Sequence, residues 1–331
     1  MRSALVEELP RSLYLETTNR CDSECQTCVR TFRTTEPPAD LTLERVRGIV
    51  AQFPDLDRVV LHGIGEPLLN REIFDIVAFL KSRVPLVLFN SDAISLTARR
   101  ALRLIESGLD EYRVSMDAAT RETYRRLRGV DQFERVVGNV RRLIELQRDT
   151  GRATPRVSIW FTAGRANVEE LPDFVRLATG LGVAEVYVQR LVFNGLGLAT
   201  ADNALHARLR DLEQARLDEA ERLAGASGIA IRASGFTTPL RSLQGGASGT
   251  RPWAGCQRPW TLSYVTANGN VLPCCISPWV ARDYDALVLG NAFTTPFESI
   301  WNGERYQRFR RDFESDTPPD PCRGCGSLWS I

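Results

Sequence analysis

Three cysteines lie close together near the start of the chain, as Cys21-x3-Cys25-x2-Cys28, and five more follow residue 255. None occurs in the 227 residues between the two groups. Thiolates at this spacing suit a soft metal: they can hold three corners of an iron–sulfur cubane, leaving the fourth iron to an outside ligand, or join a fourth donor around zinc. His62 is the nearest candidate for that fourth donor. The later set runs Cys256-x17-Cys274, with Gly269 between them as Cys-x12-Gly-x4-Cys, and closes on Cys322-x2-Cys325. Four thiolates complete a closed site for either an iron–sulfur cluster or zinc. Cys275 is left over: it is either a buried structural thiol or a reactive group beside a ligand.

These side chains need rigid elements to aim them, and the pattern supplies strands and helices in alternation. Strand candidates cover 13–16, 58–61, 86–89, 111–116, 156–161 and 185–191. Between them lie helical patterns, among them 42–53, with Leu43, Val46, Val50 and Phe53 on one face behind a Thr42 cap, and 132–147, with Phe133, Val136, Val140 and Leu143 in phase. A helix beginning at Asn70, another ending near Gly108 and one over 168–179 complete the series. Six strand–helix units imply a parallel sheet with right-handed crossovers, whose chemistry gathers beyond the strand C-termini. The expected organisation is an α/β chain: a partial (β/α)6 TIM-like barrel over 1–200, a connecting helix and Gly/Ser-rich linker over 201–252, and a cysteine-rich module over 253–331. In that module Asn268-Gly269-Asn270 signals a hairpin between strands 262–266 and 271–272, which would bring Cys256 beside Cys274.

Composition limits the function classes. Forty-two basic residues face forty-one acidic ones, so bulk charge points to neither nucleic acid nor an anionic membrane. No early segment resembles a signal peptide, and no apolar run is long enough for a membrane helix. The expected compartment is the cytoplasm, where cysteines serve as ligands or catalysts more often than as disulfides.

Residues 17–28, from Thr17-Thr18-Asn19-Arg20 through Cys28, resemble the signature of radical S-adenosylmethionine (SAM) enzymes. The resemblance spans roughly 12–192 and implies a [4Fe–4S] cluster on Cys21, Cys25 and Cys28 whose open iron chelates the methionine end of SAM. The residue before the third cysteine is usually aromatic in that family and is Thr27 here. Gly63-Ile64-Gly65-Glu66-Pro67 resembles the glycine–glutamate motif that binds the methionine amino group: glycine admits a ligand close to the backbone and a carboxylate accepts from ammonium. Ser115-Met116-Asp117 resembles the segment contacting the ribose or carboxylate, and Tyr124-x3-Arg128-Gly129 the stretch after it. Arg128 is then a partner for the methionine carboxylate, or else a surface arginine. Asn90 and Gln189 occupy strand ends that line such a pocket.

The C-terminal module resembles SPASM and twitch extensions, including Leu289-Gly290-Asn291, Ser299-Ile300-Trp301-Asn302-Gly303 and the closing Cys-x2-Cys. The twitch form fits better, which implies a second [4Fe–4S] cluster on Cys256, Cys274, Cys322 and Cys325. The expected reaction starts with hydrogen abstraction by a 5′-deoxyadenosyl radical, with flavodoxin or ferredoxin as electron donor. About a dozen residues precede the first strand, which favours a small-molecule substrate over a leader peptide. The expectation is therefore epimerisation or dehydrogenation of a carbohydrate-derived antibiotic intermediate (a sugar, cyclitol or aminoglycoside), with Cys275 returning hydrogen. Modification of a ribosomal peptide or protein side chain, and a catalytically silent metal scaffold, are the alternatives.

Overall fold

Leu13 and Leu15 are fully buried while Ser12 and Tyr14 face the other side, the period of two that makes β1 (Ser12–Leu15) a strand packed on one face. In the computed structural model, which describes residues 2–192, 194–245, 251, 253–280, 282–323 and 325, five more strands follow in parallel pairing. They are β2 (Arg58–Leu61), β3 (Leu86–Ser91), β4 (Glu111–Ser115), β5 (Arg156–Ala163) and β6 (Glu185–Arg190). Helices α1 (Leu43–Val50), α2 (Ile73–Lys81), α3 (Ala98–Glu106), α4 (Arg121–Arg128), α5 (Phe133–Asp149) and α6 (Leu171–Leu181) connect them. Thr42 caps α1 as its type predicts, accepting from the Arg45 amide at 3.2 Å. Asn70 does not start a helix. It stands ahead of α2, and its side-chain amide donates to the Thr17 and Leu41 carbonyls, tying the β2 loop to the β1 loop.

The sheet extends beyond the six expected strands on both sides. After α7 (Asp211–Ser227), β7 (Ala230–Ala233) pairs in parallel with β6. At the other edge β8 (Leu262–Val265) pairs in parallel with β1, from Ser12 opposite Leu262 to Leu15 opposite Val265. The hairpin signalled by Asn268-Gly269 forms, with β9 (Asn270–Leu272) antiparallel to β8 and β10 (Gly290–Asn291) beyond it. The order is β10-β9-β8-β1-β2-β3-β4-β5-β6-β7, and among the described residues nothing joins β10 to β7, so the barrel stays open. Residues 246–250 of the expected linker lie outside the described residues.

The outward strand face packs on the helices through Val46, Ile76, Leu104, Val140 and Phe174. The inward face is polar. Its floor is a ladder of ion pairs from β4 to β7, with Arg113 and Arg156 on Glu111 and Arg156 and Arg232 on Glu185. In the C-terminal part, short helices α8 (Pro239–Gln244) to α11 (Phe297–Trp301), including α9 (Arg258–Thr261) and α10 (Tyr284–Leu287), lead to α12 (Glu304–Glu314) and α13 (Asp320–Arg323). Arg2 lies 3.9 Å over the Trp260 ring and donates to the Cys256 carbonyl at 2.6 Å, so the chain start braces a cysteine loop. Among the described residues no helix is long and apolar enough to cross a membrane.

Candidate functional site

A cavity of about 380 Å³ occupies the barrel interior and the loops beyond the strand C-termini. Its lining gathers Cys21, Cys25 and Cys28 after β1, Gly63, Gly65 and Glu66 after β2, and Asn90 on β3. Ser115 and Asp117 at the end of β4, Arg128 closing α4, Gln189 on β6 and Cys275 from the C-terminal module complete the set. The cysteine loop is fixed by main-chain bonds: Glu24 N donates to the Arg128 carbonyl at 3.0 Å, Gln26 N to that of Leu127 at 2.7 Å, and Cys28 N to that of Cys25 at 3.1 Å. Burial pushes all three thiols above their ordinary range, Cys28 to about 12. Buried thiols clustered on one loop fit a soft metal group, whose binding displaces their protons. His62 does not join them as a zinc ligand. It stacks on Trp279 with ring centroids 5.9 Å apart, and the carboxylates beside Cys21 are those of Asp22 and Asp92.

The glycines of the second motif answer to the protein before any ligand. A Cβ on Gly65 would lie 2.1 Å from the Thr18 carbonyl oxygen, and one on Gly63 would lie 2.4 Å from the Glu16 side chain. Bare glycine therefore lets the β2 loop pass against the cysteine loop. Glu66 is 2% exposed and already engaged: Oε1 accepts from Leu68 N and the Ser91 hydroxyl, and Oε2 accepts from Asp92 N at 2.7 Å. Burial and the neighbouring Asp92 raise its pKa well above the carboxylate range. Arg128 is not on the surface. It is 8% exposed and donates to Asp117 Oδ2 at 2.9 Å, while Asp117 Oδ1 accepts from Thr162 N. Arg128 Nε and Asn90 Oδ1 are buried with no hydrogen-bond partner among the described residues. They are donor and acceptor atoms suited to a polar cosubstrate.

A second pocket, about 30 Å³, is lined by Cys256, Cys274, Cys322 and Cys325 with Trp253, Leu287, Phe309 and Phe313. Burial, with Cys274 and Cys325 nearby, takes the Cys256 thiol to about 11, although Arg258 opposes the rise. Four thiols in an apolar shell fit a closed metal site. Cys275 opens instead onto the large cavity, where the Tyr14 hydroxyl hydrogen-bonds it.

Several cavity residues escape a reading of motifs. Asp92 follows Ser91 on β3, accepts from the Ser23 hydroxyl at 2.8 Å and lies 3.8 Å from Cys21 Sγ. Tyr14 was legible in principle, because it alternates with Leu13 and Leu15 and must point inward. Burial, reinforced by Arg113, lowers the His62 pKa to about 4, so its imidazole is neutral at physiological pH. Trp279 and Arg258 reach the cavity from the far end of the chain, and nothing local to them signals it.

Two family models match. The radical SAM superfamily model covers residues 15–178, and the SPASM model, an iron–sulfur cluster-binding domain, covers 256–326. The PqqA peptide cyclase of Granulibacter bethesdensis is 24% identical over 96% of this chain and 80% of its own. That of Gluconobacter oxydans is 25% identical over 96% and 82%. Among solved structures, Streptococcus suis SuiB bound to S-adenosylmethionine superposes with a TM-score of 0.72 at 17% identity, covering 98% of this chain and 72% of that one. SuiB has also been crystallised with its precursor peptide SuiA. These relatives overturn the expectation of a carbohydrate epimerase or dehydrogenase making an antibiotic from a small molecule. A four-cysteine ligand set specifies how a cluster is held and carries no information about the molecule brought to it. With its barrel, both cysteine sites and the two matched models in agreement, the chain belongs to the radical SAM superfamily, in the SPASM-type branch that carries a [4Fe–4S] cluster in each part and uses S-adenosylmethionine.

Proposed function

We propose that this radical SAM enzyme modifies a peptide or protein side chain. The observation that carries the reading is the match to two PqqA peptide cyclases along 96% of the chain, barrel and C-terminal module together. Cys21, Cys25 and Cys28 hold the first cluster, and Cys256, Cys274, Cys322 and Cys325 hold the auxiliary one. With SAM and an electron from a flavodoxin or ferredoxin, the first cluster supplies a 5′-deoxyadenosyl radical able to take hydrogen from an unactivated carbon.

The chain's own residues position and shield that chemistry. Glu66 locks the β2 loop to the end of β3 through its bonds from Ser91 and Asp92, and so sets the wall against which the cosubstrate lies. Arg128 Nε and Asn90 Oδ1 offer it a donor and an acceptor, with Ser115, Asp117 and Gln189 along the same wall. Asp117 balances the Arg128 charge at 2.9 Å. Cys275 keeps its hydrogen on Sγ, oriented by Tyr14 toward the cavity, as the chain's hydrogen source beside the substrate.

The test is transfer of label. Reduced, reconstituted enzyme is given SAM and perdeuterated peptides, taken from short reading frames beside its gene, and in parallel deuterated sugars and cyclitols. Deuterium should appear in 5′-deoxyadenosine with a peptide, together with a mass change in that peptide. Transfer from the sugars alone overturns the reading.

A further inference from the structure

Arg258 stands two residues after Cys256 at the start of α9, and it is 4% exposed. It borders both the cysteine pocket and the large cavity. Among the described residues it is the one side chain of the cysteine pocket, the thiols apart, that carries a formal charge; the rest of the lining is Trp253, Pro259, Ile276, Leu287 and other uncharged groups. A cation held in such a shell is weakly screened and acts strongly on any charge beside it.

A four-thiolate [4Fe–4S] group is anionic and becomes more so on reduction, so a fixed cation next to it stabilises the reduced state more than the oxidised one. We propose that Arg258 is the positioning counter-charge of the auxiliary cluster: its guanidinium, set in the wall between cluster and reaction cavity, raises that cluster's reduction potential. The proposal rests on the four-cysteine ligand set assigned above. It goes beyond that assignment, since nothing in a Cys-x17-Cys spacing calls for an arginine between cluster and substrate.

The experiment is an anaerobic redox titration of the reconstituted enzyme followed by electron paramagnetic resonance. SAM is present so that the first cluster's altered signal separates from the auxiliary one, and Mössbauer spectra count the auxiliary iron. R258M should disfavour reduction of the auxiliary cluster by at least about tenfold, equivalent to about 59 mV for a one-electron couple. R258K, which keeps the charge, should stay within about threefold of wild type. If R258M cannot hold the auxiliary iron while R258K does, the charge is again what the site requires and the proposal stands. Loss of the iron in both variants, an equal shift in both, or an unmoved potential in fully loaded R258M overturns it. Zinc in place of iron in the wild-type pocket overturns the iron–sulfur assignment of that site, and the proposal with it. That result is distinct from an unmoved potential with iron present, which removes Arg258's part alone.

Discussion

Adding a single methyl group at Gly65 tests whether the first metal site depends on the contact between the β1 and β2 loops. The alanine Cβ would sit 2.1 Å from the Thr18 carbonyl oxygen and 2.7 Å from that of Arg20. Both are main-chain atoms, which cannot rotate aside as a side-chain tip can. Restoring an ordinary contact requires the loop leading into Cys21 to move by roughly 1 Å. Overpacking of this kind costs about 1–3 kcal/mol. The Glu66 N to Arg20 O bond, 2.8 Å long, is lost in the same movement, adding about 0.5–1.5 kcal/mol. A sum of roughly 2–4 kcal/mol lowers the population of the cluster-holding geometry by more than about tenfold. Iron per chain after anaerobic reconstitution should therefore fall from about eight to about four, with SAM binding lost. Gly48 on α1 has nothing within 4 Å of an added Cβ, so G48A should keep all its iron and gain about 0.4–1 kcal/mol. Full iron and wild-type SAM affinity in G65A would refute the packing argument.

Three further outcomes are expected. C275A should retain about eight irons, because its thiol opens on the large cavity and not on the cysteine pocket; a fall to about four on iron analysis would make it a ligand. D117A strands the buried Arg128 guanidinium and should cost about 3–5 kcal/mol in urea unfolding; D117N/R128M, which removes both charges while keeping an acceptor for Thr162 N and a residue type tolerated at the left-handed φ of position 117, should recover most of it, and a double variant as unstable as the single one would rule this out. Glu16, 3% exposed, has its pKa raised to about 7, chiefly by burial. Folding then takes up a proton at Glu16, so the contribution of this group to stability falls as pH climbs from the ordinary carboxylate range through about 7 and levels off above it, by about 3 kcal/mol. E16Q should lack this step in urea titrations of the metal-free protein, and parallel stability curves for the two proteins would contradict it.

The parts legible in the sequence were those in which local pattern and chemistry coincide. β2 begins and ends at the residues expected for it, and the four motifs follow the strand ends that a parallel sheet requires. β7 was missed because its four residues are mostly half-exposed and show no apolar run. β8 was expected as half of a hairpin, but its docking on β1 joins residues some 250 apart, and no local window encodes that pairing. In the site, the family resemblance pointed to Glu66, Asp117 and Arg128 without revealing that these groups chiefly hold one another and the loops. The partner of a charge is a tertiary fact. Asp92 lay beside a residue singled out as a motif and Tyr14 inside an expected strand, yet only the folded cavity shows that both line it.

The residue-for-residue ladder between β1 and β8 has a mechanical consequence. Cys21 and Cys274 sit a few residues beyond strands of one continuous sheet, so the two proposed metal sites are stations on a single beam. Moving one relative to the other would mean shearing main-chain hydrogen bonds, which makes the span between them a dimension set when the chain folds, the same for every molecule admitted. Accommodation must then fall to the opposite border, where β7 is the last strand of the sheet among the described residues and Phe236, 70% exposed, stands at the cavity rim. Variation in what the enzyme accepts is therefore expected to accumulate along that free edge, while the gap between the metal sites stays constant.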